Sequence, residues 1–408
     1  MIPVVLRIAV RNVTRHRRRS AICLAAIAFG IVALLMSQGF IEWVLWAHRE
    51  TTIRSHLGHI QISRQGYHEE GASNPFGFLL REDAPIRTAV SKLPGVETVA
   101  SRIEFSGLIA RGETTTSFIG EGIEPERERL ITSSLTIVDG ANLSGSDPQG
   151  VVLGEGLAAN LGVKVSDTVV LIGKTASGGI NAVECKVRGT FRTITKAYDD
   201  SALRAPIGTV RRLLRSEGSH LWVLLLDRTE QTDSVLASVR GQAAGDAGLE
   251  IVPWYKLADF YTKTATLFAK QVLVVQIIIA VIVGLSILNS MTMVVMERTS
   301  EIGTCMATGT RRSRILQQFL GEGAVMGLLG GLLGVAIAYP LAHVISAIGI
   351  PMPPPPGQSW GYLGQIRISP KMVFDTLALV VFTSLAASVF PAWKASRLNI
   401  VDALRQSR

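Results

Sequence analysis

Cysteine is scarce in this chain: three stand among 408 residues, at positions 23, 185 and 305. Three cannot build a disulfide framework. Cys23 falls in an apolar run, Cys185 in a mixed region and Cys305 beside arginines, so all three read as small apolar fillers. No lipobox precedes Cys23, whose upstream neighbours are Ser20, Ala21 and Ile22, and lipid anchoring there is not expected. Catalytic signatures are missing too. The chain has no H-E-x-x-H and no G-x-S-x-G. Ile172-Gly173-Lys174-Thr175 ends like a phosphate loop, but Thr168 stands where that loop needs its first glycine. His48, His56, His59 and His68 crowd one region, and the spacing of His56 and His59 suits one helix face. No cysteine or suitably spaced carboxylate joins them, so no metal site is expected. Glu42 and Glu322 fall near the ends of apolar runs, where a carboxylate reaches the interface, which argues against a proton relay. The chain is therefore expected to be no enzyme and to bind no cofactor or metal of its own.

Long apolar runs are what the sequence has instead. Apolar residues make up 48% of it, and a length of 408 allows roughly two to three domains. Four runs exceed the roughly 18 mostly apolar residues that mark a membrane span: Ala21–Ala47, Leu267–Met296, Leu320–Ile350 and Met372–Phe390. Basic residues precede the first, as in a signal peptide. Its length of about 27 residues exceeds a signal core and no small-x-small cleavage site follows, so it reads as a retained span.

The net charge of +9 would suit a nucleic-acid binder if it were spread over the chain. It is not. Residues 1–20 carry six arginines, residues 296–314 a net +2 and residues 392–408 a net +3, so everything else totals −2. All the excess flanks predicted spans on one side, the positive-inside pattern, with both termini cytoplasmic and no nucleic-acid partner.

Residues 1–20 are expected to form a cytoplasmic amphipathic helix on the lipid surface, with Val4, Val5 and Ile8 opposite Arg7, Arg11, Arg15 and Arg18. The first span is expected to run on beyond the membrane: no glycine or proline occurs from Phe40 to Leu57, and Trp43, Trp46, Ile53 and Leu57 recur at heptad-like spacing. A helix over 21–57 would be about 55 Å long, and the hydrocarbon core takes only about 30 Å. Before the second span, Pro253 suits a helix start, and Trp254, Leu257, Ala258, Tyr261 and Ala265 recur at helical spacing. Core packing explains either stripe alone; the pair predicts a two-helix stalk, with the first span and its stalk over 21–57 and the second stalk and its span over 253–296. Between the two lies a domain at 58–252 with short strands expected at 59–63, 96–109, 116–121, 151–153, 168–172, 183–190 and 221–227. Helices are expected at 85–93, 156–161, 207–215 and 232–244. That order is α+β. The third span, over 315–350, carries Gly323, Gly327 and Gly331, and Gly330 and Gly334, at intervals of four, which suits close helix packing within or between subunits. A short external loop at 351–371 holds Pro351 and Pro353–Pro356, a stiff spacer. A span at 372–391 and a cytoplasmic tail at 392–408 complete the chain.

The stretch between the second and third spans, Glu297–Gly323, reads ERTSEIGTCMATGTRRSRILQQFLGEG. Ile302 and Met306 fall on one helical face, and Gly303 and Gly309 bracket a short helix before Arg311, Arg312 and Arg314. Its two readings are an ordinary basic loop and an apolar ridge exposed to a groove on a cytosolic partner. The stretch resembles the most recognisable motif of the FtsX, MacB and LolC/LolE permeases, E-R-x-x-E-I-G-x-x-x-A-x-G, followed by an isoleucine, a phenylalanine and a glutamate. Glu297, Arg298, Glu301, Ile302, Gly303, Ala307, Gly309, Ile315, Phe319 and Glu322 match it, while Cys305 and Met306 replace the residues usual before the alanine. Three further stretches extend the resemblance: Ala9, Arg11, Asn12, Arg15 and Arg18; Val151–Leu171 with Val187–Phe191, where Ser166 replaces a usual glycine; and Pro391, Ala392, Ala395, Ala403, Leu404 and Arg405, where Ile400 replaces a usual proline.

The resemblance implies a helical membrane domain of four transmembrane helices and a MacB-like α+β periplasmic domain on a helical stalk. Residues 297–314 would be the coupling helix, docking through Glu297, Arg298, Glu301, Ile302, Gly303, Met306, Ala307 and Gly309. Partners would be two copies of a cytoplasmic ABC ATPase, which binds the ATP and Mg, and a second permease subunit, identical or paralogous. The location implied is a bacterial inner membrane. The layout is closest to LolC/LolE, which implies lipoprotein release with a periplasmic carrier or lipoprotein substrate. Alternatives are a MacB-like tripartite efflux or peptide-export permease and an FtsX-like regulator of a cell-wall hydrolase.

Overall fold

The computed structural model describes residues 17–399 except 72, 194–195, 247 and 354–360. The expected surface helix of residues 1–20 falls almost wholly outside the described residues, as do Ala403, Leu404, Arg405 and Pro354–Pro356. Among the described residues four helices are long and apolar enough to cross a membrane: Ser20–Leu57, Asp259–Glu297, Arg312–Ile348 and Pro370–Ser396. The chain divides into two compact units, one of Trp46–Lys263 with Met352–Tyr362, the other holding the rest.

In the membrane unit, α1 (Arg17–Thr52) carries Ile27, Ile31, Leu34 and Leu35, all fully buried. They meet Ile279, Val283, Ile287 and Met291 of the long helix Asp259–Glu297, and Phe319, Met326 and Val380 of the last two. Lipid is as apolar as leucine, so helices here associate by close fit rather than by escape from water. The glycine stripe supplies that fit within the chain. A Cβ on Gly330 or Gly334 would lie 2.7 Å from Ile27 or Ile31 of α1, and one on Gly331 would lie 2.7 Å from Leu377. Gly323 and Gly327 leave room for Ser388 and Ser384. Both serine hydroxyls donate to carbonyls one turn back, at 2.7 Å, so they sit satisfied against the glycines.

The other unit is built on one ten-stranded sheet. Its strands are β1 (Ile60–Arg64), β2 (Val96–Arg111), β3 (Thr114–Ile123), β4 (Thr136–Gly140), β5 (Gly150–Gly154), β6 (Thr168–Lys174), β7 (Ile180–Arg192), β8 (Ala202–Pro206), β9 (Leu221–Leu226) and β10 (Leu249–Pro253). The order is β10-β1-β9-β2-β3-β8-β5-β7-β4, and β6 pairs with both β2 and β7. The sixteen-residue β2 joins the halves: Val96–Arg102 pairs with β9, Arg102–Arg111 with β3. β9 reads LWVLLL because both its faces are covered. Trp222, Leu224 and Leu226 face a core with Val235, Leu236 and Val239 of the helix Thr232–Ala243. Leu221, Val223 and Leu225 face another with Ile53, Tyr67, Ile131 and Trp254. A third core lies under the helices Glu155–Leu161 and Ile207–Leu214, around Phe105, Phe118 and Leu171.

The expected α+β order is present, with additions. Strands β4, β8 and β10 and the helices Tyr67–Glu70, Pro125–Ile131 and Lys196–Asp199 were not expected. The stalk reading needs two corrections. The first helix is α-helical only to Thr52, and Ile53–Leu57 widens into a π-turn. Pro253 ends β10 and starts a helix of only four residues, Trp254–Leu257; Ala258, at φ −90° and ψ 60°, breaks it before the long helix begins at Asp259. Ile53, Leu57, Trp254 and Tyr261 pack together with sheet residues in one core, so core packing accounts for these four positions. His48 does join the two helices, its ring stacked on Tyr261 at 6.0 Å and edge-on to Phe260 at 5.6 Å.

Two positions give direct tests. Ser166, standing where the resemblance has glycine, holds φ at +78°, a left-handed conformation that costs a residue with a Cβ. Ser166→Gly is expected to stabilise the domain by about 1 kcal/mol, read as a rise in apparent Tm of the purified protein. His59 is fully buried; its Nδ1 accepts from the Leu226 amide at 3.0 Å, so the proton sits on Nε2, 3.0 Å from Thr229 Oγ1. Burial pushes this imidazole down to about 4. The folded value lies below the ordinary one near 6.5, so the stabilisation is complete above about pH 6.5 and drains away as pH falls toward 4. Thermal unfolding from pH 7 to 4 is expected to be steeper in the native protein than in His59→Asn, whose amide keeps an acceptor but does not titrate.

Candidate functional site

The turn between the second and third long helices is organised by one arginine. With α2 to α9 running from Tyr67–Glu70 through Pro85–Ser91, Pro125–Ile131, Glu155–Leu161, Lys196–Asp199, Ile207–Leu214 and Thr232–Ala243 to Trp254–Leu257, helix α10 is Asp259–Glu297. Arg298 leaves helical geometry at φ −102° and ψ 13°, and α11 (Thr299–Ala307) starts beyond it. Gly309 reverses the chain at φ +94°. Nothing lies within 4 Å of where its Cβ would be, so the glycine serves conformation rather than space. Arg311 is extended, and α12 (Arg312–Ile348) follows; α13 is Pro370–Ser396.

Arg298 donates through Nη1 to Glu322 of α12 at 2.9 Å and through Nε to Glu301 of α11 at 3.1 Å. Its guanidinium lies 5.7 Å from the ring centroid of Phe319. The Glu322 side chain is 5% exposed, Arg298 15% and Glu301 48%. Four matched residues of the motif, scattered over 25 positions, thus meet in one knot that pins α11 across the ends of α10 and α12. The sequence counts Glu322 among the motif's matched residues and places it near a span end, but names no partner for it; its spacing from Phe319, one helical turn, is the available signal.

The apolar ridge of α11 faces the other way from expectation. Ile302 and Met306 are 6% and 9% exposed, and Gly303 is buried between them. They join Val295, Ile315, Phe319, Ala392 and Ala395 in the membrane unit's own core. The face open to solvent is Glu301, Thr304, Cys305 and Thr308, three and four residues apart, with Ala307 beside it and Arg311, Arg312 and Arg314 exposed beyond. Thr304 and Thr308 return their hydroxyls to carbonyls at 300 and 304 or 305, so the surface they present is low and smooth. Glu297 is also exposed.

The four histidines are not brought together. His48 lies on the aromatic pair described above, His56 meets Glu121 at 2.7 Å, His59 is buried between Thr229 and Leu226, and His68 packs edge-on to Tyr67. Among the described residues no group of three or more His, Cys, Asp or Glu is placed to hold a metal ion. Cys23 and Cys185 are buried and Cys305 is exposed.

Arg298→Met takes the ion-pair partner from a buried carboxylate, a loss of about 3–5 kcal/mol. We expect it to lower the apparent Tm in detergent sharply, and Arg298→Met with Glu322→Gln to recover most of the fall. Glu301→Gln, at a half-exposed position, is expected to cost less than about 1 kcal/mol.

Comparison with known proteins matches two families on this chain. Residues 20–242 match the MacB-like periplasmic core domain and residues 273–400 the FtsX-like permease C-terminal domain. An uncharacterized ABC transporter permease of Methanocaldococcus jannaschii is 24% identical over 98% of this chain and 97% of its own length. The macrolide export ATP-binding/permease protein MacB of Psychrobacter arcticus is 30% identical over 58% of this chain. That of Syntrophobacter fumaroxidans is 33% identical over 35%. The matched region is 34% and 18% of the length of those two proteins. Among solved structures, the periplasmic region of MacB from Actinobacillus actinomycetemcomitans covers 51% of this chain and 92% of its own, at 17% identity and a TM-score of 0.37. With four membrane-spanning helices, an α/β domain and both families matched in order along it, the chain belongs to the MacB/FtsX family of ABC transporter permeases.

Proposed function

We propose that this chain is the non-catalytic membrane subunit of an ATP-driven complex whose ATPase is a separate cytoplasmic chain. The observation that carries the reading is the Arg298 knot. It holds a nine-residue helix rigidly across two membrane helices and turns a polar, small-residue face outward. A rigid lever with an uncluttered surface suits a groove on a partner that moves. In this reading Glu301, Thr304, Cys305 and Thr308 make the contact, Arg311, Arg312 and Arg314 meet acidic groups at the groove's rim, and Ile302, Gly303 and Met306 act from behind by seating the helix. ATP and Mg stay on the partner. Two copies of the permease, or this chain and a paralogue, would face two ATPases, with both termini cytoplasmic and the sheet domain outside the inner membrane.

The cargo we propose is a lipoprotein released toward a periplasmic carrier, with ATP-driven movement passed to the external domain rather than a channel opened through the spans. A second reading, export through a tripartite assembly, is favoured by the MacB relatives, which are named for macrolide export.

The test is co-purification from the native membrane. Wild type is expected to bring down an ABC ATPase at roughly stoichiometric yield. Thr304→Trp and Cys305→Trp, on the exposed face, are expected to lose most of it with an unchanged apparent Tm. Ile302→Asp is expected to lose the fold along with the partner. Absence of any ATPase with wild type, after cross-linking as well, would sink the proposal.

A further inference from the structure

The first long helix ends inside the sheet domain, and the way it ends is unusual. An α-helix leaves its last four carbonyls without intrahelical partners. Here Gly58 N–H donates to Ile53 O at 2.9 Å, the i to i+5 bond of a π-turn, and the carbonyls of Arg54, Ser55, His56 and Leu57 all face the domain. Each has a donor waiting. Ser134 N–H takes Arg54 O at 3.1 Å, Arg204 Nη2 takes Ser55 O at 3.2 Å, Arg102 Nη1 takes His56 O, and Gln61 Nε2 takes Leu57 O at 2.9 Å. Gly58 then turns under β9, where a Cβ would lie 2.9 Å from Leu224 O.

The two arginines are the exceptional part. Arg102, on β2, is wholly buried, and Arg204, on β8, is 2% exposed. Arg102 is paired in bidentate fashion with Glu128 of α4, also wholly buried. Arg204 pairs with Glu121 of β3 at 2.9 Å; Glu121 also takes His56 at 2.7 Å and the Tyr198 hydroxyl at 2.9 Å. Burial pushes the Glu121 carboxyl up, but Arg204 and His56 outweigh that and hold it well below the usual carboxylate range. Burying four charges is costly, and packed apolar residues of similar size usually serve stability as well or better. A helix C-terminus is the negative end of the helix dipole, so guanidinium groups aimed at its last carbonyls hold it by charge as well as by hydrogen bonds.

We infer that Arg102 and Arg204 are positioning residues which fasten the π-turned end of the first membrane helix to three strands and one helix of the external domain, so that movement of that helix is delivered to the sheet without slack. The inference rests on the function proposed above and adds the point at which force enters the domain. The side chains suit this task because each arginine spans two attachments at once, a carboxylate fixed in the domain and a carbonyl fixed in the helix.

The experiment places nitroxide labels at Ala47, on the helix, and Glu113, at the exposed β2–β3 turn, each carried on p-acetylphenylalanine so that Cys305 stays native, and reads their distance distribution by pulsed electron resonance in nanodiscs. Wild type is expected to give one narrow distribution, unchanged when the complex with its ATPase is trapped with ATP and vanadate. Arg204→Met with Glu121→Gln, and Arg102→Met with Glu128→Gln, leave no unpaired buried charge. They are expected to keep the apparent Tm within a few degrees while broadening the distribution at least two-fold. A distribution as narrow as wild type in both pairs would overturn the inference, as would a fall in Tm without broadening. Should both pairs fail to assemble, Arg204→Lys, which keeps the charge beside Glu121 but loses the arm to Ser55, is read the same way. Absence of an ATPase would remove only the trapped arm and would count against the proposed function; the nucleotide-free widths would still decide the fastening.

Discussion

A charge taken out of water must be paired, and a pair made that way has one geometry. Both units of this chain are closed around such pairs. In the membrane unit it is Arg298 with Glu322, packed on Phe319, which fixes how α11 lies across α10 and α12. In the domain it is Arg102 with Glu128 and Arg204 with Glu121, which fix where the first helix ends. The hydrophobic effect alone sets no such direction, because it follows the area removed from water rather than which atom meets which. A bidentate or doubly shared guanidinium does not slide. These are the places where an ATP-driven membrane protein would need fixed geometry, since a lever with play in its joints delivers nothing.

The spans were legible because hydrocarbon imposes length and composition together, and no other environment asks for about 20 apolar residues in a row. The domain's longer strands were legible for a related reason: β2, β7 and β9 carry enough apolar and β-branched residues to announce themselves. β8 did not. Its five residues, ALRAP, include a charge and a proline, and nothing local reveals that Arg204 is buried by a carboxylate on another strand. β10 was hidden by Pro253, which served equally as the end of a strand and the start of a helix. The π-turn was invisible because the donors that receive the carbonyls of residues 54–56 belong to Ser134, Arg204 and Arg102, far along the chain.

At the candidate site the sequence was half informative. Spacing placed Ile302 and Met306 on one face of a short helix, and they do share one. Periodicity says which residues lie together and nothing about which way that face turns. The direction is a tertiary matter: Ile302 and Met306 turn into one buried cluster with Phe319 and Ile315 on α12 and Ala392 and Ala395 on α13. The same limit applies to the glycine stripe, whose interval foretold close packing but not that Ile27, Ile31, Ser384 and Ser388 of the same chain would occupy it.

That inward turn changes what kind of contact α11 can make. An apolar ridge would bind through area removed from water, tightly and with little dependence on salt. A face of one carboxylate, two satisfied threonines and a cysteine, rimmed by three arginines, offers little apolar area and depends on shape and charge. Contacts of that kind form fast, separate readily and weaken with ionic strength. Under the proposed function, in which the helix follows a partner through a cycle of closing and opening, the stiffness lies behind the contact rather than in it. The buried Ile302 and Met306 and the Arg298 pairs put it there.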